Sequence, residues 1–365
     1  MPWLRECRGM KKLCVLPVVF VLLTISACKP AETTSSQTTA TGVAAAPSVQ
    51  INGAGATFPY PIYSKWFEAY GQTHPEARIN YQSIGSGGGI KQLTAGTVFF
   101  GATDGPMTDE QLKAAPGPIL HFPTVLGAVV PIYNIPGVTS QLHFTGPVLA
   151  GIYLGKITKW NDPAIAKVNP SISLPATDIA VVHRSDGSGT SYIWCDFLSK
   201  TSPEFQKSVG VATSVNWPVG VGGKGNEGVS GLVRQTPGAV GYVELIYALQ
   251  TKIPFAAVQN KAGEFVTATL DSVTTAAHAY AANMPDDFRL SITNADAKDA
   301  YPISSFTWLL LYQNPQDKQR SKIMVDFVKW ALTDGQKLAS ELRYAPLPQS
   351  VVDKELQALS KVQVQ

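Results

Sequence analysis

Residues 183–191, with the sequence HRSDGSGTS, gather one arginine, one aspartate, two glycines and four hydroxyl side chains. They follow an apolar run at residues 179–182 and precede a segment with a helical pattern. A strand-to-helix junction of this composition suits an active site, a cradle for an anion or a tight turn. The residue types alone leave all three possibilities open.

Two further segments share this composition: GAGATFPYP at residues 53–61 and SIGSGGGIKQL at residues 83–93. Glycine lets the backbone approach a ligand closely. A helix N-terminus presents unpaired N–H groups and partial positive charge, which together suit an anion. Each hydroxyl could instead cap only its own helix. Three such junctions, one of them carrying Arg184, favour a shared oxyanion pocket.

Two other kinds of chemistry fit the sequence poorly. Ser188 lies in DGSGT rather than in G-x-S-x-G, and no His and Asp are placed to activate it. The glycine-rich segment GVGGKG at residues 220–225 matches the dinucleotide pattern G-x-G-x-x-G. However, Pro218 breaks the preceding strand, and the NEGVSG that follows does not read as a clean helix. Lys224 precedes Gly225 where a phosphate-binding P-loop needs Ser or Thr, so we interpret this segment as a structural loop.

The elements that must position these junctions alternate between strand and helix, the pattern of an α/β protein. Predicted strands cover residues 78–84, 124–134, 178–183, 239–245 and 303–312. Predicted helices cover residues 60–72, 88–96, 147–158, 190–200 and 317–335. A chain of 365 residues is long enough for two domains. Glycine and proline are spread along it, which fits a chain that crosses between the domains more than once.

The N-terminus has a different character. Residues 1–27 combine a basic start with an apolar run that is too short to cross a bilayer, as in a signal peptide. The run ends in ISAC, the pattern of a bacterial lipoprotein cleavage site, which predicts a lipid anchor on Cys28. An ordinary secretory signal is the alternative. Residues 28–48 are rich in Thr, Ser and Ala, which predicts a flexible tether.

Charge and cysteine content exclude several function classes. Four basic residues and one acidic residue in residues 1–27 account for the whole net charge of +3, so the remainder is neutral. A neutral chain argues against nucleic-acid binding. After signal removal and lipidation only Cys195 remains free, which excludes a disulfide framework, and no Cys or His cluster suggests a metal. We expect Cys195 to be a small core residue.

With the three junctions in view, the sequence resembles the substrate-binding proteins of bacterial high-affinity phosphate ABC transporters. The resemblance covers almost all of the chain after the tether, through blocks such as GAGATFPYPIYSKW, GSGGGIKQLTAGT, FGATDGPMTDEQL, AVVHRSDGSGTS and PGAVGYVE. It implies the type II periplasmic-binding-protein fold, in which two α/β lobes close on the ligand like a hinge. Lobe I would comprise residues 49–123 and 291–365, and lobe II residues 124–290.

The resemblance also implies which residues hold the anion. Its oxygens would meet backbone or hydroxyl groups from all three junctions, at Ala56, Thr57, Phe58, Ser86, Ser188, Gly189 and Thr190. Arg184 would supply the positive charge, with Asp186 fixing its guanidinium. Asp104, in FGATDGP, would complete the set.

An aspartate beside an anion explains a choice between anions. Phosphate near neutral pH carries at least one proton, whereas sulfate carries none. The Asp104 carboxylate can only accept, so it would pair with the phosphate O–H and meet a lone pair on sulfate. A buried, unmatched polar contact of this kind can discriminate by roughly 10⁴–10⁵.

The expected protein is therefore a non-enzymatic, monomeric receptor in the periplasm, without cofactor or metal. Its expected ligand is inorganic phosphate, and its partners are membrane permease subunits that work with a cytoplasmic ATPase. A receptor for sulfate or molybdate is the nearest alternative. A secreted hydrolase that uses Ser188 is the alternative from another class.

Four residues depart from the pattern of the family. His183 stands where the family often has a second arginine, and Gly87 stands where a second serine is frequent. Phe99 replaces a common aspartate and Thr103 a common serine. Because these last two flank Asp104 in the sequence, they bear on the orientation of its carboxylate.

Overall fold

Strands and helices alternate along residues 48–364, the residues that the computed structural model describes. The predicted signal peptide, Cys28 and the tether up to residue 47 lie outside the described residues. The strands are β1 (Val49–Gly55), β2 (Ala77–Ser83), β3 (Phe100–Thr103), β4 (Ile119–Asn134), β5 (His143–Phe144), β6 (Ala180–Arg184), β7 (Val221–Gly223), β8 (Ala239–Glu244), β9 (Ala257–Gln259), β10 (Phe265–Val266) and β11 (Ser304–Tyr312).

The helices connect these strands and cover the sheet. They are α1 (Tyr60–Thr73), α2 (Ser86–Thr94), α3 (Asp109–Ala114), α4 (Gly146–Tyr153), α5 (Pro163–Val168), α6 (Gly189–Thr201), α7 (Pro203–Ser208), α8 (Gly225–Gln235), α9 (Leu245–Thr251), α10 (Leu270–Ala281), α11 (Lys318–Leu332), α12 (Gln336–Ala339) and α13 (Gln349–Ala358). Short 3₁₀ helices occupy Ser340–Leu342 and Leu359–Lys361.

The ten predicted elements correspond to strands β2, β4, β6, β8 and β11 and to helices α1, α2, α4, α6 and α11. Two boundaries differ clearly from the prediction. Strand β4 begins earlier, at Ile119. Helix α4 ends at Tyr153 rather than at residue 158, because Gly155 has a φ of 71°, a left-handed conformation that commonly follows a helix end.

An eight-stranded mixed sheet in the order β2-β1-β3-β11-β4-β8-β6-β7 organises the chain, and β10-β9-β5 form a smaller sheet. Strands β1, β2 and β3 are parallel, as are β6, β7 and β8. Strand β11 is antiparallel to β3 and β4, and β8 is antiparallel to β4. The two parallel groups therefore lie on opposite sides of the β11–β4 pair.

Strand β4 joins the two halves of the large sheet. Its first part, residues 119–128, pairs with β11, and its second part, residues 129–134, pairs with β8. Nearly every residue of β4 is buried, including Val125, Leu126 and Ile132. A continuous apolar run is what a strand covered on both faces requires, and it is why β4 stands out in the sequence.

Helix α1 shows how the C-terminal part of the chain is fastened to the first half of the sheet. Its buried residues Ile62, Tyr63, Trp66 and Tyr70 recur at helical spacing and face the core. The Trp66 indole N–H donates to the Gly335 carbonyl at 2.7 Å, which links α1 to the turn after α11. Among the described residues, no helix has the length and apolar character that crossing a membrane requires.

Candidate anion-binding site

The predicted junctions follow strands β1, β2 and β6, and Asp104 follows β3. All four of these segments leave a strand at its carboxyl end. In open α/β sheets, ligands bind outside the carboxyl ends of the strands. The topology therefore places the predicted residues where a ligand site is expected, although they come from both halves of the sheet.

Ser86 is hydrogen-bonded to two other predicted residues. It starts helix α2, and the preceding Gly85 has a φ of 89°, a left-handed conformation that glycine adopts without steric cost. The Ser86 Oγ accepts the N–H of Asp104 at 3.2 Å and the N–H of Gly189 at 3.0 Å. The junction after β2, the turn after β3 and the start of α6 thus meet at one hydroxyl.

Gly189 occupies a position that no other residue type fits. A Cβ on Gly189 would lie against the Ser86 Oγ and 2.6 Å from the Asp104 Oδ2. Real Cβ atoms essentially never come this close to another heavy atom. The close approach of α6 to Ser86 and Asp104 therefore depends on glycine at this position.

Arg184 is the buried cation of the site, with a side chain only 1% exposed. Its Nε and Nη2 donate to the two carboxylate oxygens of Asp186 at 2.8 and 2.5 Å, and its Nη1 donates to the Thr190 Oγ1 at 3.2 Å. This two-point pairing fixes the guanidinium plane. Asp186 also accepts the Gly225 N–H at 3.0 Å. Burial acts to raise the pKa of Asp186, but the Arg184 hydrogen bonds and charge hold that pKa below its ordinary value.

Asp104 is 1% exposed and has one oxygen held and the other unpaired. Its Oδ1 accepts the Thr307 hydroxyl at 2.8 Å, whereas its Oδ2 has no hydrogen-bond partner among the described residues. Burial raises the pKa of Asp104 to about 7, against the opposing effects of Thr307 and the Arg184 charge. A buried carboxyl oxygen without a partner is costly, so this oxygen suits a ligand that brings a proton.

Thr57 is held by two residues that the sequence did not identify. Its Oγ1 accepts the Asn226 side-chain amide at 2.7 Å, and its carbonyl accepts the Tyr247 hydroxyl at 2.6 Å. Because the peptide unit is planar and trans, a Thr57 carbonyl directed at Tyr247 turns the Phe58 N–H to the opposite side. That orientation makes the N–H of Phe58 available as a donor.

The remaining predicted residues contribute mainly through structure around the site. The Ser188 Oγ accepts the Ser191 N–H at 3.0 Å, so it caps helix α6, the alternative noted above for each junction hydroxyl. The Ala56 carbonyl accepts the Tyr81 hydroxyl at 2.8 Å. The Phe58 carbonyl accepts the Tyr344 hydroxyl at 2.6 Å.

The interpretation of residues 220–225 as a structural loop that no regular helix follows was wrong. Strand β7 (Val221–Gly223) lies within this segment, and a regular helix, α8, starts at its last residue, Gly225. The second residue of that helix, Asn226, reaches both Thr57 and Thr190 with its side-chain amide. The glycine-rich segment is therefore a fourth strand-to-helix junction at the site. Its composition, glycines before a polar residue, was the available signal.

The four departures have different surroundings. Phe99 and Asp104 lie at opposite ends of β3, so Phe99 is not beside the carboxylate, contrary to the sequence-based expectation. Thr103 does affect the carboxylate, because its hydroxyl accepts the Gly105 N–H at 3.2 Å and so shapes the turn that carries Asp104.

The other two departures contact other residues. His183 stacks on Trp217, with 5.2 Å between the ring centroids. Gly87 approaches the backbone of Gly187, where a side chain would be tight.

The arrangement offers donors rather than a nucleophile. The Ser188 Oγ accepts the Ser191 N–H as a helix cap. The His183 Nδ1 lies 3.0 Å from the Arg184 carbonyl oxygen, so its hydrogen bond is to the backbone. Cys195 is buried, as expected, and burial raises the pKa of its thiol. Within residues 48–364 no group of three His, Cys, Asp or Glu side chains could hold a metal ion. The donor groups suit recognition of an oxyanion.

Comparisons with known proteins identify the family that this chain resembles. The family model of the PBP superfamily domain matches residues 32–335. A phosphate-binding protein PstS of Xylella fastidiosa is 45% identical over 360 residues, covering 96% of each chain. One from Methanocaldococcus jannaschii is 40% identical over 340 residues, covering 86% of this chain and 87% of its own.

Solved structures share the architecture at low sequence identity. A phosphate-binding protein from Stenotrophomonas maltophilia superposes with a TM-score of 0.64 at 19% identity, covering 85% of this chain and 94% of its own. A putative phosphate ABC transporter substrate-binding protein from Clostridium perfringens, solved with bound phosphate, gives a TM-score of 0.60 at 18% identity. The match covers 82% of this chain and 100% of that one. The predicted two-lobed α/β fold is confirmed by these likenesses.

Proposed function

The chain belongs to the PstS family of phosphate-binding proteins, and from this premise we propose that it binds inorganic phosphate and delivers it to an ABC transporter for import. The observation that carries the proposal is the unpaired Oδ2 of Asp104, buried among donor groups. Donor groups beside a free carboxyl oxygen match an anion that carries its own proton.

Several neutral hydrogen-bond donors and one cation bind the anion. Arg184 supplies the charge, and its pairing with Asp186 leaves the site close to neutral. In the first turn of helix α6 the N–H groups of Gly189 and Ser191 donate to the Ser86 and Ser188 hydroxyl oxygens, so the helix offers the anion the N–H of Thr190. The hydroxyls of Thr57, Ser86 and Thr190 add directional donors, and Ser188, Gly189, Phe58 and Ala56 provide backbone around the anion.

The choice of anion rests on Asp104. Phosphate near neutral pH still carries a proton, which it can donate to the unpaired Oδ2 of Asp104. Sulfate brings no proton at neutral pH. It binds only if Asp104 is itself protonated, or else it meets an ionised carboxylate in a dry site.

Closure of the two lobes assembles the site. With lobe I at residues 49–123 and 291–365 and lobe II at residues 124–290, the bond from the Gly189 N–H to the Ser86 Oγ crosses the cleft. The bond from Asn226 to the Thr57 Oγ1 crosses it as well. An anion that contacts both sides binds the closed form more tightly and so shifts the population toward it.

The cellular setting follows from the family and from the N-terminal sequence. The protein acts as a monomer in the periplasm, tethered through a lipid on Cys28, and hands phosphate to permease subunits driven by a cytoplasmic ATPase. It is a receptor and has no catalytic step. Incubation with a chromogenic phosphate ester is expected to give no product, and turnover that depends on Ser188 would contradict this part of the proposal.

Titration calorimetry with phosphate and with sulfate tests the function. Wild type is expected to bind phosphate at least roughly 10⁴-fold more tightly than sulfate at pH 8. Asp104→Asn should weaken phosphate binding and narrow this gap, because an amide can donate to sulfate. Asp178→Asn is the matched control, since Asp178 is exposed and pairs only with Lys159 at the surface. Equal wild-type affinity for the two anions would overturn the proposal.

A further inference from the structure

Three hydroxyl groups of the site share one hydrogen-bonding pattern. The Ser86 Oγ accepts two N–H groups, those of Asp104 and Gly189. The Thr190 Oγ1 accepts from the Arg184 Nη1 and from the Asn226 Nδ2, both at 3.2 Å. The Thr57 Oγ1 is likewise surrounded by donors.

Both donors to Thr57 come from Asn226. Its side-chain Nδ2 lies 2.7 Å from the Thr57 Oγ1, and its backbone N lies 3.3 Å away. A hydroxyl has two lone pairs and one proton, whereas amide and guanidinium N–H groups can only donate. Once its lone pairs are occupied, each hydroxyl must direct its own proton elsewhere, as a donor.

The orientation of the Asn226 amide is fixed independently. Amide oxygen and nitrogen are ordinarily distinguished only by their partners. The Asn226 Oδ1 accepts the backbone N–H of Glu244 at 3.1 Å, and a backbone N–H cannot accept. The Nδ2 must therefore face Thr57 and Thr190, and its two protons serve one hydroxyl each.

We propose that Asn226 is a positioning residue that turns the O–H groups of Thr57 and Thr190 toward the bound anion. It lies on α8 beside Thr190, whereas Thr57 follows β1 in the other half of the sheet. The Thr57 hydroxyl is therefore aligned only when the two halves close. This inference rests on the proposed phosphate-binding function and adds a residue that acts through others.

A purely structural role would look different. Asn226 is fully buried near the start of α8, so its loss also removes a bond to Glu244 and some packing. Such a loss would lower thermal stability but would not depend on whether Thr57 and Thr190 carry hydroxyls. The dependence on those hydroxyls separates the two roles.

The first experiment compares phosphate affinity by calorimetry in single variants. Asn226→Ala is expected to weaken binding by roughly 10-fold to 100-fold. Asn226→Asp keeps an acceptor for Glu244 but presents an oxygen to both hydroxyls, which then donate to it, so the expected loss is larger. Asn134→Ala is the matched control, because Asn134 donates to the Val233 and Arg234 carbonyls at the other end of α8. It should bind phosphate as wild type does.

The second experiment is a mutant cycle with Thr57→Val and Thr190→Val. In the double valine background, Asn226→Ala is expected to change phosphate affinity by no more than about twofold, because no hydroxyl remains to be oriented. An undiminished effect in that background would overturn the proposal. So would wild-type affinity in both Asn226→Ala and Asn226→Asp. Failure of wild type itself to bind phosphate would instead overturn the proposed function.

Discussion

The buried Asp104 carboxylate accepts few hydrogen bonds until an anion that carries a proton binds beside it. One oxygen accepts the Thr307 hydroxyl, the other has no hydrogen-bond partner within residues 48–364, and burial raises the pKa of Asp104 from 3.8 to about 7. Burial therefore destabilises the ionised Asp104 carboxylate in the ligand-free protein.

This raised pKa predicts a pH-dependent loss of stability. Between pH 4 and 7 the folded protein holds a proton on Asp104 that the unfolded chain releases, so the free energy of unfolding falls as pH rises. Without phosphate, Asp104→Asn should be more stable than wild type at pH 8, by up to a few kcal/mol. The difference should shrink at pH 5, where folded Asp104 is protonated.

Urea unfolding of phosphate-free protein at both pH values measures this difference. Asp178→Asn serves again as the control, since an exposed carboxyl should change little. A wild type as stable as Asp104→Asn at pH 8 would contradict the predicted cost of burying the ionised carboxylate.

At the scale of elements, the start of helix α6 decides whether the two halves of the sheet can meet. Gly189→Ala would place a methyl group against Ser86 and Asp104, which belong to other elements. We expect phosphate affinity to fall by more than about 100-fold, because the closed arrangement is blocked. The melting temperature without phosphate should change little, because separation of the halves takes Ser86 and Asp104 away from the added methyl group.

Gly231→Ala is the matched control for this substitution. Gly231 lies inside helix α8, and an added Cβ would meet nothing within 4 Å. Alanine there should leave phosphate affinity unchanged and stabilise the helix by about 0.5–1 kcal/mol. Phosphate binding by Gly189→Ala at wild-type affinity would show that the closed contact is not needed.

The elements also show what the sequence could reveal. Long apolar strands such as β4 and β11 and the periodic helices α1 and α11 were predictable from pattern. Helix α8 was not, because Gly225, Gly228 and Gly231 lower its helix propensity. Packing overrides that propensity: Val229 and Val233 are buried against β8, where Gly241 allows close approach. Two-residue strands such as β5 carry no periodic signal at all.

The candidate site was predictable to a similar extent. Residues that lie together in one junction, such as Arg184, Asp186 and Thr190, could be grouped from sequence. Thr307 and Tyr247 could not, because Thr307 is 203 positions from the Asp104 carboxylate it holds, and Tyr247 is 190 positions from Thr57. Such contacts are set by sheet order, which local patterns do not specify.

At the scale of the whole molecule, β4 is a continuous connection between two groups of parallel strands. The groups touch near the site through hydrogen bonds such as that from the Gly87 N–H to the Gly187 carbonyl at 2.8 Å. A connection of this kind allows the halves to separate by bending with little change inside either half. Phosphate supplies the differential contact that favours the closed form.

Small-angle scattering tests whether this closure depends on the anion. The radius of gyration of wild type should decrease when phosphate is added at saturation and stay unchanged in an equal concentration of sulfate at pH 8. Gly189→Ala should keep the larger radius even in excess phosphate, whereas Gly231→Ala should contract as wild type does. Since the anion must contact both halves to favour closure, an identical radius of wild type with and without phosphate would contradict the hinge. Contraction of Gly189→Ala would show that closure does not require the contact of α6 with Ser86 and Asp104.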